Sequence, residues 1–267
     1  AYFLGVCAIV FSGIVLKKTK MFAGQPAPFV MELPAYHMPR PIDILKSMGE
    51  RGMSFVKKAG TIILLATILV WFLSRFNFRM QYLPEEDMDT SILAAFGNAF
   101  TWLFAPLGWG KWKAVVAALT GLIAKENVVG TFGTLFHYQG AEELAEAGDQ
   151  IWAQVREYFG NGIAGYSFLA FNLLCAPCFA AIGAIKREMN NGRWTMFAIG
   201  WECFLAYCVS LVIYQIGGLI AGVVSFNFFT IVAIALILIG IWGLLRPYKE
   251  AETLSEKQER AVEKAMA

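Results

Sequence analysis

Apolar residues gather in seven long runs, at roughly 1–16, 59–78, 92–110, 114–137, 163–185, 196–222 and 227–245. A helix needs about 20 apolar residues to cross the roughly 30 Å of hydrocarbon in a bilayer. The pattern predicts an all-α, polytopic transmembrane helical bundle built from about seven apolar segments. The run at 92–110 carries Asn98, Pro106 and several glycines, so it also suits a re-entrant or interfacial segment. Between Ile42 and Lys58 apolar and charged residues alternate imperfectly, and Gly49 and Gly52 interrupt them. That stretch predicts an amphipathic helix lying along the interface. The tail Lys249–Lys264 is rich in helix formers with alternating charge and predicts a solvated cytoplasmic helix.

Charge between the runs sets an orientation. Eight Lys or Arg lie between Lys17 and Lys58, and further basic groups sit at Lys111 and Lys113, at Lys186, Arg187 and Arg193, and from Arg246 onward. The intervening loops, Glu85–Asp89 and Glu142–Glu157, are acidic apart from Arg156. Alternating basic and acidic loops fit seven crossings under the positive-inside rule, with the C-terminus in the cytoplasm. The chain is apolar from Ala1 and begins without Met, which reads as the cut end of a span and predicts the C-terminal part of a longer protein.

Composition agrees with a membrane protein. Of 267 residues 58% are hydrophobic and only 16% charged, against about 25% charged in soluble domains. A net charge of +2 without a basic patch argues against nucleic-acid binding, and two histidines leave no His-rich metal site. The five cysteines (Cys7, Cys175, Cys178, Cys203, Cys208) lie in apolar stretches, which disfavours an extracellular disulfide framework. Gly108–Lys113 lacks the spacing and the Ser or Thr of a nucleotide-binding P-loop, and no HExxH, serine elbow or dinucleotide fingerprint is present.

The polar residues inside the apolar runs carry the candidate chemistry. Lys125 and Glu126 interrupt the run at 114–137, and ionisable groups at such depth are costly and face a protein interior or a water path. Glu126, Gly130, Gly133 and His137 step by four, three and four, which places them on one helical face. Gly130 and Gly133 would let another backbone approach or the helix unwind, as in transporter substrate sites. The competing explanation is a neutralised structural pair, Lys125 with a carboxylate on a neighbouring helix. Cys175-Ala-Pro-Cys178 lies mid-run, and helical spacing would put both sulfurs on one face with Pro177 kinking the helix. These thiols suit a soft or borderline divalent ion, or simple packing. A closed zinc site would need a second CxxC, which the chain lacks. Glu202 is the other deep carboxylate, placed to pair with Lys125, to line the same cavity or to snorkel. Gly218 and Gly222 have helix-packing spacing.

Three separated motifs resemble one family. Pro28-Phe-Val-Met-Glu-Leu-Pro-Ala-Tyr-His-Met-Pro-Arg-Pro41, Gly121-Leu-Ile-Ala-Lys-Glu-Asn-Val-Val-Gly-Thr131 and Leu174-Cys-Ala-Pro-Cys-Phe-Ala-Ala-Ile-Gly-Ala-Ile-Lys-Arg-Glu188 are similar, in order, to segments of the bacterial ferrous iron transport protein B family. The resemblance implies the following organisation. Residues 1–27 end a first gate, 28–58 form a cytoplasmic or interfacial linker with an ELPxY segment, and 59–248 form a transmembrane domain with the second gate; 249–267 form a cytoplasmic tail. It implies Fe(II) as the transported ion across the bacterial inner membrane, and no enzyme activity or cofactor in this chain. GTP and Mg would be held by an N-terminal GTPase domain outside it. Implied partners are membrane lipid, that GTPase domain, small Feo accessory proteins and a second copy. Cys178 matches the cysteine of the second gate, whereas Cys175 is an addition to the family pattern. With the residue reading, Cys178 and Glu126 lead as metal-contacting groups, Cys175 and Glu202 follow, and Lys125, Gly130, Gly133 and Pro177 serve gating. Glu32 and Tyr36 hold the linker, Glu32 also serving as a candidate entry carboxylate. The rival readings are a gate-repeat transporter of another solute such as a nucleoside, a membrane thiol oxidoreductase using Cys175 and Cys178 with Cys203 or Cys208, and a non-transporting anchor for a GTPase.

Overall fold

A computed structural model describes residues 2–19, 22, 40–121, 125, 127–135 and 149–247. Among these the protein is helical, with one isolated β-bridge between Phe76 and Tyr82. The α-helices are α1 (Tyr2–Lys17), α2 (Pro41–Arg75), α3 (Ile92–Phe104), α4 (Trp112–Gly121), α5 (Asn127–Leu135), α6 (Asp149–Phe159), α7 (Gly162–Leu174), α8 (Phe179–Met189), α9 (Gly192–Ile220) and α10 (Phe228–Leu245). The all-α expectation holds. Each predicted apolar run falls on a helix or helix pair, but only α9 and α10 are long and apolar enough to cross a membrane among the described residues. A third span exists if α3 with its 3-10 extension to Leu107 is joined to α4, and that pair bends by 94°.

Short polar side chains open several helices by accepting the otherwise unpaired first-turn N–H groups. Ser91 Oγ accepts from Ala94 N at 3.1 Å, Asn161 Oδ1 from Ala164 N at 2.7 Å, and Asn191 Oδ1 from Arg193 N at 3.0 Å. The α3–α4 bend is built on glycines. Gly108 has φ +89, and a Cβ there would run into the Tyr214 ring; one at Gly110 would lie 2.5 Å from Ala105 Cα.

Three expectations are corrected. The interfacial stretch and the following apolar run form one continuous helix, α2; Gly49 and Gly52 lower helix propensity but do not end it. Cys175–Cys178 is not a kinked helical turn: α7 stops at Leu174 and α8 starts at Phe179. Pro177 lacks the N–H that would bond the Leu173 carbonyl and disfavours helical backbone at Ala176, so the two sulfurs do not share a helical face. Gly218 and Gly222 do not form a helix-packing pair. Gly222, at φ +70, lies beyond α9, where Val223 N donates to Gly218 O (2.8 Å) and Gly222 N to Leu219 O (3.2 Å). That is a glycine-terminated Schellman cap.

The chain divides into two compact units. In the larger, Lys46–Leu236, the core gathers Phe104, Trp109, Phe132, Phe168 and Phe171 with the small residues of α4. Phe104 stacks on Trp109 at 4.6 Å between ring centroids, and Phe168 meets Trp109 edge-on at 5.2 Å. Ala114, Val115, Ala117 and Ala118 are fully buried or nearly so, which lets α4 sit close among its neighbours. Within the smaller unit, Phe11 and Val15 of α1 pack over Gly240 and Gly243 of α10. Lys18 donates to the Leu244 carbonyl there, a basic side chain on a helix C-terminus.

Candidate functional site: two broken helices joined by Lys125

The larger unit contains two helix interruptions, and a cation ties them together. Lys125 lies between α4, which ends at Gly121, and α5, which begins at Asn127. Its ammonium donates to Leu173 O at 3.1 Å and to Cys175 O at 3.4 Å, both at the α7–α8 interruption. Pro177 explains why a donor is needed. In an unbroken helix the N–H of residue 177 would bond the carbonyl of residue 173, and proline has none. Lys125 supplies the missing donor, and its positive charge suits the carbonyl end of α7.

Beside this junction α9 brings in a second thiol. Cys203 Sγ lies 3.7 Å from Cys175 Sγ, and all five cysteines are free. Glu202 precedes Cys203 on α9; its Oε2 is buried with no hydrogen-bond partner, and the Lys125 charge acts on it. An apolar cavity of about 230 Å³ opens against the thiol pair, walled by Leu103, Phe104, Leu119, Phe171 and Tyr207. The Tyr207 hydroxyl donates to Leu103 O at 2.8 Å.

Buried hydroxyls and an amide fix the frame around the cavity. Ser167 of α7 and Ser210 of α9 are fully buried with their oxygens 2.7 Å apart; Ser167 Oγ also lies 2.9 Å from Leu107 O, and Ser210 Oγ donates to Ser167 O at 2.9 Å. Gln215 Nε2 donates to Pro106 O at 2.7 Å, and Thr230 Oγ1 donates to Gln215 Oε1 at 3.2 Å. The α3–α4 bend is thereby hydrogen-bonded to α7 and α9, and α9 to the start of α10.

Comparison with known proteins decides the family. A family model described as ferrous iron transport protein B C terminus matches residues 1–51, and one described as Gate, nucleoside recognition, matches 56–192, half of the chain. The Fe(2+) transporter FeoB of Methanocaldococcus jannaschii is 36% identical over 225 residues, covering 82% of this chain and 32% of that protein. The chain belongs to the ferrous iron transport protein B family. Its FeoB relative in Escherichia coli K12 is 32% identical over 291 residues, covering 92% of this chain and 37% of the relative. A fusion protein of Fe(2+) transport protein A with Fe(2+) transporter FeoB, from Porphyromonas gingivalis, is 32% identical over 255 residues, covering 81% of the chain and 30% of the relative. The chain thus spans about a third of the length of these relatives. No solved structure matches.

Within this FeoB-family chain the structure brings together Lys125, Cys175 and Cys203, with Glu202 in electrostatic reach. Cys178 sits three residues beyond Cys175 at the start of α8, half-buried. Gly130 and Gly133 lie on α5, and Gly133 is buried. Glu126, Glu32, Tyr36, His37 and His137 lie outside the described residues. Among the described residues no three His, Cys, Asp or Glu cluster closely enough to hold a metal. In sequence Cys203 stands out only as an exchange partner in the thiol-enzyme reading, because its approach to Cys175 depends on how α9 packs against α7. Ser210 continues the Glu202 face in sequence, and Ser167, Gln215 and Thr230 carry the same signal as Lys125 and Glu202, a polar residue in an apolar run.

Proposed function

We propose that this chain is the membrane permease portion of a Fe(II) uptake transporter, with the α4–α5 and α7–α8 interruptions as its gate. The observation that carries this reading is the Lys125 bridge, which couples two broken helices through the Leu173 carbonyl freed by Pro177 and the Cys175 carbonyl of the link. Irregular backbone at membrane depth is tolerated where it is buried in protein or lines a cavity, and transporters use such breaks for ion sites. Fe(II) is a borderline ion served by thiolate, carboxylate and backbone oxygen. Cys178 and Glu126 contribute to the path, Cys175 and Glu202 follow, and Gly130 and Gly133 let the gate flex. Glu32 and Tyr36 hold the linker.

In this reading the chain crosses the bacterial inner membrane seven times with its C-terminus in the cytoplasm. Residues 1–27 complete a first gate, 28–58 form the linker, 59–248 include the second gate, and 249–267 are a cytoplasmic tail. The chain itself is not an enzyme. A GTPase domain of the parent protein binds GTP and Mg, and a small Feo accessory protein docks on the assembly, as the Porphyromonas gingivalis fusion suggests. A second copy and membrane lipid complete its surroundings.

The description of the matched gate model raises nucleoside transport as the second reading. The cavity argues against it: its wall is apolar, and the Tyr207 hydroxyl is already engaged, whereas a base and ribose need polar partners. Anaerobic Fe(II) uptake into proteoliposomes, comparing the full-length parent with its Cys178→Ser and Glu126→Gln forms, tests the proposal. Both substitutions are expected to weaken Fe(II) uptake while the protein stays inserted and folded. Parental uptake in both overturns the site assignment. Nucleoside uptake without Fe(II) uptake by the parent replaces the reading.

A further inference from the structure

We propose that Cys175 and Cys203 form a two-thiolate site for a soft, closed-shell monovalent cation, Cu(I), which shares Cys175 with the proposed Fe(II) path but does not use Cys178 or Glu126. Their sulfurs are 3.7 Å apart, on separate elements, at the edge of the apolar cavity. Taking the zinc–thiolate bond of about 2.3 Å as an upper bound, one ion between two sulfurs spans at most roughly 4.6 Å when linear, so the 3.7 Å pair needs to open by no more than roughly 0.9 Å. Rotation of two side chains beside open cavity space supplies that.

The ligand count selects the ion. Zinc in a closed site takes four ligands, and Fe(II) sites carry more than two. The described residues hold no cluster of three His, Cys, Asp or Glu. Cu(I) is satisfied by two thiolates, and soft sulfur ligands favour it. The cavity wall against which the pair lies is apolar, and its one side-chain hydroxyl, that of Tyr207, is already engaged. Charge agrees: the ion and the Lys125 ammonium together balance the two thiolates, and Lys125 is fixed on the Cys175 carbonyl at 3.4 Å. Binding releases the two thiol protons to solvent and transfers no electrons. An ion held by both sulfurs pins the α7–α8 interruption to α9, so occupancy fixes the gate segment in place.

The inference does not rest on iron transport, and its test does not use flux. The full-length parent is titrated anaerobically with Cu(I) against a colorimetric Cu(I) chelator, with a thiol-free reductant present. Cys175→Ser and Cys203→Ser are each expected to lower affinity by at least about 100-fold, the upper end of what loss of an outer-shell partner costs a metal site. Cys208→Ser should bind as the parent does. In the unsubstituted parent, Cu(I) should protect Cys175 and Cys203 from maleimide alkylation while Cys208 reacts at its metal-free rate, a readout that needs no variant to fold. Equal affinity in the parent, Cys175→Ser and Cys203→Ser, or alkylation of both thiols unchanged by Cu(I), overturns the proposal.

Discussion

Replacing Lys125 by Met tests whether its ammonium takes the place of the N–H that Pro177 lacks. Lys125→Met keeps length and apolar stem but removes the donors to Leu173 O (3.1 Å) and Cys175 O (3.4 Å). A charge-assisted hydrogen bond contributes about 1.5–3 kcal/mol net. Lys125 is solvent-exposed outside a bilayer, so water can reach part of the junction; polar contacts between membrane helices average about 0.6 kcal/mol with a maximum near 1.7. The two bonds together therefore give about 1.5 kcal/mol, roughly tenfold in the unfolding equilibrium. Pro177→Ala supplies the control, because alanine restores an N–H that can bond the Leu173 carbonyl. In that background Lys125→Met should cost less than about 0.7 kcal/mol, giving a coupling beyond the roughly 0.5 kcal/mol within which independent sites add. The assay is reversible unfolding in mixed micelles, followed by helical circular dichroism for the parent, both single variants and the double variant. Additive losses, or no loss in Lys125→Met, would refute the idea that Lys125 stands in for the missing backbone donor.

Two further predictions come from buried polar groups. Ser167→Ala should destabilise by about 1 kcal/mol by stranding Leu107 O, Ser210→Ala by less because Ser167 O keeps its helical bond, and the double variant by less than the sum; the same unfolding assay measures all three. Tyr158 at the end of α6 has its phenol pushed up to about 12, chiefly by burial, with backbone hydrogen bonds at Ala114 and Lys113 opposing. The folded state therefore holds that proton above pH 10 while the unfolded state releases it, so stability falls as pH rises from 10 to 12, by up to about 1.4 kcal/mol per pH unit. Tyr158→Phe should lose that portion of the alkaline slope, and an identical slope in both proteins would contradict the assignment.

What could be read from the chain divides along a physical line. Apolar runs gave helix positions, because hydrophobic length and the need to satisfy every backbone group leave few options in a membrane-like sequence. Lys125 and Pro177 were legible as anomalies, since charge and a missing N–H are visible in single letters. Their relation was not. The Pro177 interruption frees a carbonyl at residue 173, yet nothing local says that the donor comes from 48 residues upstream. Helical phase failed for Cys175 and Cys178 for the same reason: periodicity assumes an unbroken ladder, and proline at 177 ends it.

That failure bears on function. A CxxC read as one helical face offers two sulfurs to a single ion; a CxxC in an extended link between helices sends them to different neighbours. Here Cys175 meets Cys203 on α9 while Cys178 opens α8. The two thiols that share a face in a continuous helix therefore meet different neighbours here. Cys175 shares a cavity wall with Cys203, a partner from a third element. Cys178→Ser is then expected to weaken iron flux while leaving soft-metal affinity unchanged, whereas Cys175→Ser is expected to lower soft-metal affinity. Loss of soft-metal affinity in Cys178→Ser as well would mean that the interruption re-forms as helix in the working protein.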